Sequence, residues 1–358
     1  MDNHIKKRLL FPAFNTLIGI LFGSAVGYYV NKPVKGVLYG GFAGFITAAL
    51  LEYLLGKLGD GRWLYRRRVL LLVLLEIPLV TFFLGPFAYV ISNTRPDHHN
   101  ICCETPLEFG ASEYKEIRIQ TNDGISLAGW FVPPEIQPGP VIVILHGTGG
   151  DRLGGSWFAK QLIPAGYGVL LYDQRGLGES SGEIAPMSWL QGTDLLDILD
   201  YLNDQPEVDP DRIGIVGISG GAHISLNAAY LEQYRMKALW FDGLQVQRIE
   251  DFPDPINCGE KFALLINKMI LVMAQLYFRE TIPPGFIDIL PAVTDPAIIL
   301  VAGEQDIFES RVNEKYRGVL GLNADLWIIE GANHVGGPYV IPEEYSDRLL
   351  AFFEEHLD

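Results

Sequence analysis

The sequence is poor in cysteine and, over most of its length, poor in positive charge. It has three cysteines among 358 residues, too few for a disulfide scaffold, and none has the spacing typical of a zinc site. Residues 101–358 carry 16 Lys and Arg against 38 Asp and Glu. Nucleic-acid binding needs a basic surface, so this part of the chain is not expected to bind nucleic acid. The acidic surplus also disfavours its lying flat on anionic lipid.

The cysteines are Cys102, Cys103 and Cys258. Unpaired thiols are the favoured prediction, since a free cysteine commonly serves as a small apolar residue. Adjacent cysteines rarely bridge each other. A bond from Cys258 to Cys102 or Cys103 therefore remains the alternative in an oxidising compartment.

Residues 1–92 have a different character, with three long apolar runs and a surplus of positive charge. The runs are residues 11–30, 34–55 and 69–91. Each approaches the ~20 residues that cross the hydrocarbon core of a bilayer. The first is too long for the apolar region of a signal peptide, and two more follow it. We expect a membrane domain of three transmembrane helices, with residues 93–112 as a linker.

Glycine recurs at every fourth residue in the first two runs. The positions are Gly19, Gly23, Gly27, Gly36, Gly40 and Gly44. This spacing lines small residues along one helix face, where they let two backbones approach closely. The pattern predicts a helical hairpin, or alternatively a homo-oligomer in which the glycine faces of two copies pair.

Positive residues beside membrane segments indicate which side is cytoplasmic. Eight lie on one side of the predicted segments: Lys6, Lys7, Arg8, Lys57, Arg62, Arg66, Arg67 and Arg68. Three lie on the other: Lys32, Lys35 and Arg95. The count predicts a multi-pass protein with its N-terminus inside and residues 113–358 outside the cytoplasm. Glu76 and Pro78 leave a re-entrant third segment as the alternative, which would keep that domain inside.

From residue 113 onward, short apolar runs alternate with helical patterns. Strand-like runs such as "PVIVILHG" and "YGVLLYDQRG" end in glycine-rich loops. This alternation is typical of the α/β class, with a mostly parallel sheet and helices on both faces. Functional residues in such sheets lie at the carboxyl ends of the strands, so the loops after these runs hold the candidate site.

The segment "RIGIVGISGGAHIS" places Ser219 between a predicted strand and a predicted helix, with glycine at 217, 220 and 221. A nucleophilic serine sits at a sharp turn of this kind, whose neighbours must pack without side chains. Gly-x-Ser-x-Gly alone is a weak motif. The strand-to-helix context makes it much more specific.

A serine hydroxyl needs a base, and the base needs a group that orients it. His334 follows a predicted strand in "EGANHVGG", and Asp306 follows another in "VAGEQDIF". Asp242, at the end of "LWFDG", is the alternative acid. The loop "LHGTGG" can supply the backbone N–H of Thr148, beside that of Gly220, as an oxyanion hole.

Five segments together resemble the α/β-hydrolase superfamily, near its serine-aminopeptidase-like and monoglyceride-lipase-like branches. They are "HGTGG", "YDQRGLGESSG", "GISGG", "GEQD" and "GANH", in that order. The resemblance extends from about Tyr114 to the C-terminus and implies a Ser219–His334–Asp306 triad. It does not cover the apolar N-terminal part.

Residues 244–296 lie between two core strands, where this superfamily commonly inserts a cap. Residues 262–278 within it are almost entirely apolar. A single membrane crossing there would separate Ser219 from Asp306 and His334. We therefore expect a lid or a membrane-contacting helix in this insertion, with a core helix as the alternative.

These features predict a membrane-anchored, lipase-like serine esterase for carboxylic esters or thioesters with apolar acyl groups. The mechanism needs no cofactor and no metal. One alternative is a serine peptidase, which would need acidic groups in the cap to hold a substrate amine; Glu250, Asp251, Asp254 and Glu260 are the candidates. A catalytically idle membrane scaffold is the other.

Overall fold

A computed structural model describes Leu74 and residues 77–182, 188–189, 191–279 and 281–357. The predicted membrane segments 11–30 and 34–55 lie outside these residues, as does the beginning of the third. The chain divides into two compact units. One contains Met1–Ser92 and Asn257–Arg279; the other contains Asn93–Ile256 and Glu280–Asp358.

The second unit is built on a sheet of eight strands among the described residues. The strands of the unit are β1 (Asp97–His98), β2 (Lys115–Gln120), β3 (Ser126–Val132), β4 (Gly139–Leu145), β5 (Gly168–Tyr172), β6 (Leu177–Gly178), β7 (Val208–Ile218), β8 (Ala238–Asp242), β9 (Ala297–Gly303) and β10 (Ala324–Ile329). The short strands β1 and β6 pair with each other outside the large sheet.

The order of the large sheet is β2-β3-β5-β4-β7-β8-β9-β10. Strand β3 runs antiparallel to both β2 and β5. The pairs β5–β4, β4–β7, β7–β8, β8–β9 and β9–β10 are parallel. The prediction of a mostly parallel α/β sheet is confirmed. The carboxyl ends of β7, β8, β9 and β10 consequently meet at one edge of the sheet.

Helices connect the strands along the chain. Those described are α1 (Ile77–Asn93), α2 (Ser156–Leu162), α3 (Gln191–Asn203), α4 (Gly220–Glu232), α5 (Cys258–Phe278), α6 (Phe286–Ile289), α7 (Ile307–Arg317), α8 (Gly337–Val340) and α9 (Pro342–Leu357). All but α1 and α5 belong to the second unit.

Two apolar layers lie on opposite faces of the sheet, because successive strand residues point to opposite sides. In β4, Val141, Val143 and Leu145 join one buried cluster, which includes residues of α3, α4 and α7. Ile142 and Ile144 join the other, which includes residues of α2 and α9. This double burial explains why the central strands are continuously apolar.

The first unit contains α1 and α5 among its described residues. Helix α5 has 21 residues, of which only Ala274 is buried. It is long and apolar enough to cross a membrane. Helix α1 is apolar but shorter, and it includes the end of the third predicted membrane segment. Three transmembrane helices therefore stay a prediction. The apolar stretch inside the predicted cap is a helix, as expected, but it groups with the N-terminal unit.

The segment 93–112, predicted to be a linker, belongs instead to the second unit. It contains β1 and a short 3₁₀ helix, Pro106–Phe109, in which Phe109 is buried. It also carries a disulfide between Cys102 and Cys103, while Cys258 is free and exposed. The structure therefore has neither the three unpaired thiols that the sequence predicts nor the alternative bond from Cys258 to Cys102 or Cys103.

Candidate active site

Ser219 lies at the turn between the end of β7 and the start of α4. Its backbone has φ 50° and ψ −111°, a conformation that L-residues rarely adopt. The Ser219 N–H donates to the carbonyl oxygen of Asp242 on the neighbouring strand, at 2.7 Å. Strained turns persist only where the surrounding structure holds them, and they cluster at functional sites. The strained strand-to-helix turn that the sequence predicts is present, and the role of Ser219 as a nucleophile stays a prediction.

The glycines around Ser219 are required by close packing. A Cβ atom at Gly217 would lie 2.6 Å from Ala222 Cα, and one at Gly221 would meet the carbonyl oxygen of Leu145. Cβ atoms do not approach other heavy atoms so closely, so any larger residue would push the turn apart. The Gly-x-Ser-x-Gly pattern therefore has a steric cause in this fold.

The imidazole of His334, in the loop after β10, links Ser219 to a carboxylate. Its Nε2 lies 2.9 Å from Ser219 Oγ. Its Nδ1 hydrogen bonds with Oε2 of Glu309, in the first turn of α7. Glu309 has no exposed side-chain surface, and its Oε1 accepts from the Gly303 N–H at 2.9 Å. The three side chains form a continuous serine–histidine–carboxylate chain.

The carboxylate in this chain is Glu309, not Asp306 as the sequence analysis expected. Asp306 is the N-cap of α7, and its Oδ1 accepts from the Glu309 N–H at 3.0 Å. A capping side chain bonds the free amides of its own helix. Glu309 is longer and lies one turn further along, which brings its carboxylate to the imidazole. Glu309 is the site residue that the motif "GEQD" did not reveal.

Asp242, the alternative acid, is also near His334 but bonds a different partner. Its Oδ2 accepts from the hydroxyl of Tyr345 at 2.8 Å, and that hydroxyl accepts from Nε1 of Trp240 at 2.9 Å. Burial raises the pKa of Asp242 to about 7, and the charge of Glu309 adds to the rise. Asp242 is thus a buried carboxyl group beside the site, and its pKa lies near neutrality.

The pKa of His334 lies above its ordinary value of 6.5. Burial lowers this pKa, but the hydrogen bond with Glu309 and the negative charges of Glu309, Asp242 and Asp306 together outweigh burial. A carboxylate partner stabilises the imidazolium form. The environment therefore favours an imidazole that can take up a proton.

The loop after β4 lies directly beside Ser219. A Cβ at Gly147 would be 3.6 Å from Ser219 Cβ, and one at Gly220 would be 3.1 Å from the Thr148 nitrogen. The backbone of Thr148 and that of Gly220 are thus neighbours next to the serine, and the oxyanion hole itself stays a prediction. Gly220 also begins α4, where free backbone N–H groups favour negative charge.

His146 holds this loop in place. It is buried, with its Nδ1 2.8 Å from the carbonyl oxygen of Gly147 and its Nε2 3.1 Å from the N–H of Gln174. These partners fit a neutral ring that donates from Nδ1 and accepts at Nε2. Burial lowers the pKa of His146, which is consistent with that neutral form.

Asp306, Glu309 and His334 offer ligand-type atoms within 4.8 Å of one another. Side chains grouped in this way can hold a metal ion in other proteins. Here Glu309 already bonds His334 and Gly303, and His334 Nε2 faces Ser219. A metal ion would have to displace these partners, so the arrangement suits proton transfer better than metal binding.

Comparison with known sequences gives one family and several relatives. The family model of the X-Pro dipeptidyl-peptidases (S15 family) matches residues 113–243. An uncharacterized protein of Mycobacterium tuberculosis is 25% identical over 244 residues, 67% of this chain and 79% of that protein. The thiohydrolase aneE of Aspergillus aculeatus is 32% identical over 125 residues, 34% of this chain and 38% of aneE.

Several solved structures share the fold. The esterase Pf2001 of Pyrococcus furiosus matches with a TM-score of 0.57 and 22% identity, over 74% of this chain and 99% of the esterase. The α/β hydrolase GrgF of Penicillium matches with a TM-score of 0.53 and 18% identity, over 68% of this chain and 99% of GrgF. The second unit therefore has the α/β-hydrolase fold, and the comparisons together support a hydrolase.

Proposed function

We propose that this protein is a membrane-attached serine hydrolase that cleaves carboxylic esters or thioesters with apolar acyl groups. The observation that carries the proposal is the hydrogen-bonded chain of Ser219, His334 and Glu309 at a strained strand-to-helix turn. The similarity to the thiohydrolase aneE supports a thioester or ester substrate.

In the proposed reaction, Ser219 Oγ attacks the substrate carbonyl carbon while His334 Nε2 takes the hydroxyl proton. Glu309 keeps Nδ1 protonated and stabilises the imidazolium that forms. The backbone N–H groups of Thr148 and Gly220 hold the oxyanion. The leaving alcohol or thiol departs with the proton from Nε2. A water molecule, deprotonated by His334, then releases the acid from the acyl-serine.

A serine peptidase is the second candidate, because the S15 peptidase family model matches residues 113–243. Such an enzyme would need a free acidic group to hold the substrate amine. Asp251, one of the expected candidates, is fully buried and accepts from the backbone N–H groups of Gln247, Arg248 and Ile287. Its carboxylate is committed to the protein, so Asp251 is not available to hold a substrate amine.

Substrate profiling tests the activity and separates the two candidates. Detergent-purified protein is assayed with p-nitrophenyl esters of increasing acyl length and with aminoacyl-anilides, beside the Ser219→Ala variant. We expect turnover of the longer esters by the wild type and its loss in Ser219→Ala. Equal turnover by both proteins would refute a serine enzyme. Anilide cleavage without ester cleavage would favour the peptidase.

Membrane attachment through residues 1–92, with the hydrolase unit outside the cytoplasm, is part of the proposal. It is supported by the three apolar runs and the distribution of positive residues beside them. A cysteine placed at Glu354, exposed on α9, should react with a membrane-impermeant maleimide in intact cells. The same substitution in a protein lacking Cys102, Cys103 and Cys258 removes background labelling. Reaction only after lysis would show that the hydrolase unit lies inside the cytoplasm, contrary to the proposed orientation.

A further inference from the structure

Helix α5 lies in the chain connection between β8 and β9, which are neighbouring strands of the hydrolase sheet. These two strands pair in parallel along their length, from Ala238 beside Ala297 to Asp242 beside Val301. The chain therefore leaves the sheet, forms α5, and returns to the adjacent strand. Because the strands are parallel, this connection starts at the carboxyl end of β8 and returns to the amino end of β9.

Buried polar side chains join the segment before α5 to the segment after it. The Gln247 side-chain amide donates to the carbonyl oxygen of Pro284 at 2.7 Å, and Asp251 Oδ1 accepts from the Ile287 N–H at 2.9 Å. Gln247 also exchanges hydrogen bonds with Asn227 on α4. Because unmade buried hydrogen bonds are costly, these contacts clamp residues 247–251 to residues 284–287.

The connections between this clamp and α5 are short. Residues 252–257 precede the helix and residues 279–284 follow it. About six extended residues reach about 20 Å. The helix itself is about 31 Å long at 1.5 Å per residue, which matches the ~30 Å hydrocarbon core. A helix that crossed the core could not return to the clamp, so α5 does not cross a bilayer.

Helix α5 nevertheless exposes a continuous apolar stripe. Phe262, Leu265, Val272 and Leu276 are between 44% and 67% exposed. At 100° per residue they share one face. Lys261 and Lys268 border this stripe and are exposed. An apolar face bordered by lysines is typical of helices that lie in the boundary between headgroups and acyl chains.

Within the first unit, α5 packs against α1 through aromatic side chains. The ring centroids of Phe82 and Phe262 are 6.0 Å apart, and those of Phe87 and Tyr277 are 6.1 Å apart. Helix α1 contains the end of the third predicted membrane segment, the end nearest in sequence to the hydrolase unit. Its own Leu79, Phe83 and Phe87 recur at every fourth residue and are exposed. The apolar surface of α5 thus continues that of a predicted membrane helix.

We propose that α5 lies in the plane of the membrane, with its Phe262–Leu276 stripe in the boundary between headgroups and acyl chains. The partner of this surface is the lipid bilayer. The proposal rests on the proposed membrane attachment and deepens it, because it places the insertion between β8 and β9 in contact with the bilayer. This position of α5 favours an ester that is dissolved in the bilayer as the substrate class.

Depth measurement by spin labelling tests this placement. Full-length protein without its three cysteines is given one new cysteine at Leu265, at Leu276 or, as a matched apolar control in the second unit, at the fully exposed Leu322. Each protein is labelled with a nitroxide and reconstituted into phosphatidylcholine vesicles. Collision with oxygen and with a water-soluble nickel chelate is then measured, and vesicle flotation reports attachment.

We expect the ratio of oxygen to nickel collisions to be several-fold higher at Leu265 and Leu276 than at Leu322, with similar depths at both positions. Nickel access equal to that at Leu322 in floating vesicles would overturn the proposal, while leaving membrane attachment intact. Exclusion of both reagents would indicate a protein partner and would also overturn it. Protein that does not float would refute the attachment itself.

Discussion

The turn after β7 and the turn after β9 both join a strand to a helix at the site, but they fix their functional side chains differently. At the first, the strained backbone conformation fixes the position of Ser219, and close packing requires glycine at 217 and 221. At the second, Asp306 and Glu309 lie three residues apart, and both are near His334. Local sterics fix the position of the serine, whereas hydrogen bonds across the fold determine which carboxylate contacts His334.

The second turn differs because two groups there need a carboxylate: the backbone amides at the start of α7 and the imidazole of His334. The amides at the start of α7 need an acceptor, and a short Asp at the N-cap supplies one. The carboxylate that orients His334 needs reach and burial, and Glu309 has both. Two acids in one helical turn can therefore divide the roles of cap and orienting group. Substitutions at and around these two acids test that division.

Glu309→Gln should lower turnover by on the order of 10⁴, as loss of the orienting carboxylate does in other triads. The amide keeps the size of the side chain but not the charge that stabilises the imidazolium. Ester hydrolysis by purified protein measures the effect. Glu343→Gln, at an exposed position of α9, is the matched control and should retain activity. Near-normal activity of Glu309→Gln would remove Glu309 from the triad.

Gly243→Ala should cost roughly 10² in turnover, since displacement of a catalytic group by about 1 Å has that effect. Its added Cβ would lie 2.7 Å from His334 Cε1, and Gly243 has a φ of 76°. Gly124→Ala is a close control, because Gly124 has a φ of 88° and no atom within 4 Å of the Cβ position. Equal losses of activity in the two variants would attribute the effect to backbone strain alone.

Asp306→Asn should lower turnover by less than about tenfold, because Asn caps helices as well as Asp does. Asp306→Ala should lower the free energy of unfolding by about 1 kcal/mol through loss of the cap, while retaining activity. Steady-state kinetics and chemical denaturation measure the two effects. If Asp306→Asn were as inactive as Glu309→Gln, Asp306 would share the orienting role.

Asp242→Asn should shift the acidic limb of kcat/KM to lower pH, with an unchanged plateau. His334 must be unprotonated to accept the Ser219 proton, so activity rises with pH through the His334 pKa. The ionised fraction of Asp242, whose own pKa is about 7, raises the His334 pKa, and removing that charge therefore extends activity slightly to lower pH. Asp211→Asn, at an exposed position, should leave the profile unchanged. A collapse of the plateau would instead make Asp242 the orienting acid.

Much of the site could be predicted from short segments. Ser219 and His334 each follow a strand in a glycine-rich loop, and a parallel sheet brings such loops to one edge. The choice of Glu309 over Asp306 could not be predicted, because it depends on how far α7 carries each side chain toward the β10 loop. The insertion between β8 and β9 was predicted from its position in the chain. Its grouping with the N-terminal unit comes from contacts between distant parts of the chain, which include two aromatic pairs and which no local pattern encodes.

The central claim is that Ser219 is a nucleophile activated through His334. A fluorophosphonate probe reacts covalently with an activated serine, and mass spectrometry of the digested protein locates the adduct. We expect the adduct on Ser219 in the wild type, and its rate of formation should fall steeply in Glu309→Gln and little in Asp306→Asn. No adduct, or an adduct on another residue that persists in Ser219→Ala, would contradict the claim.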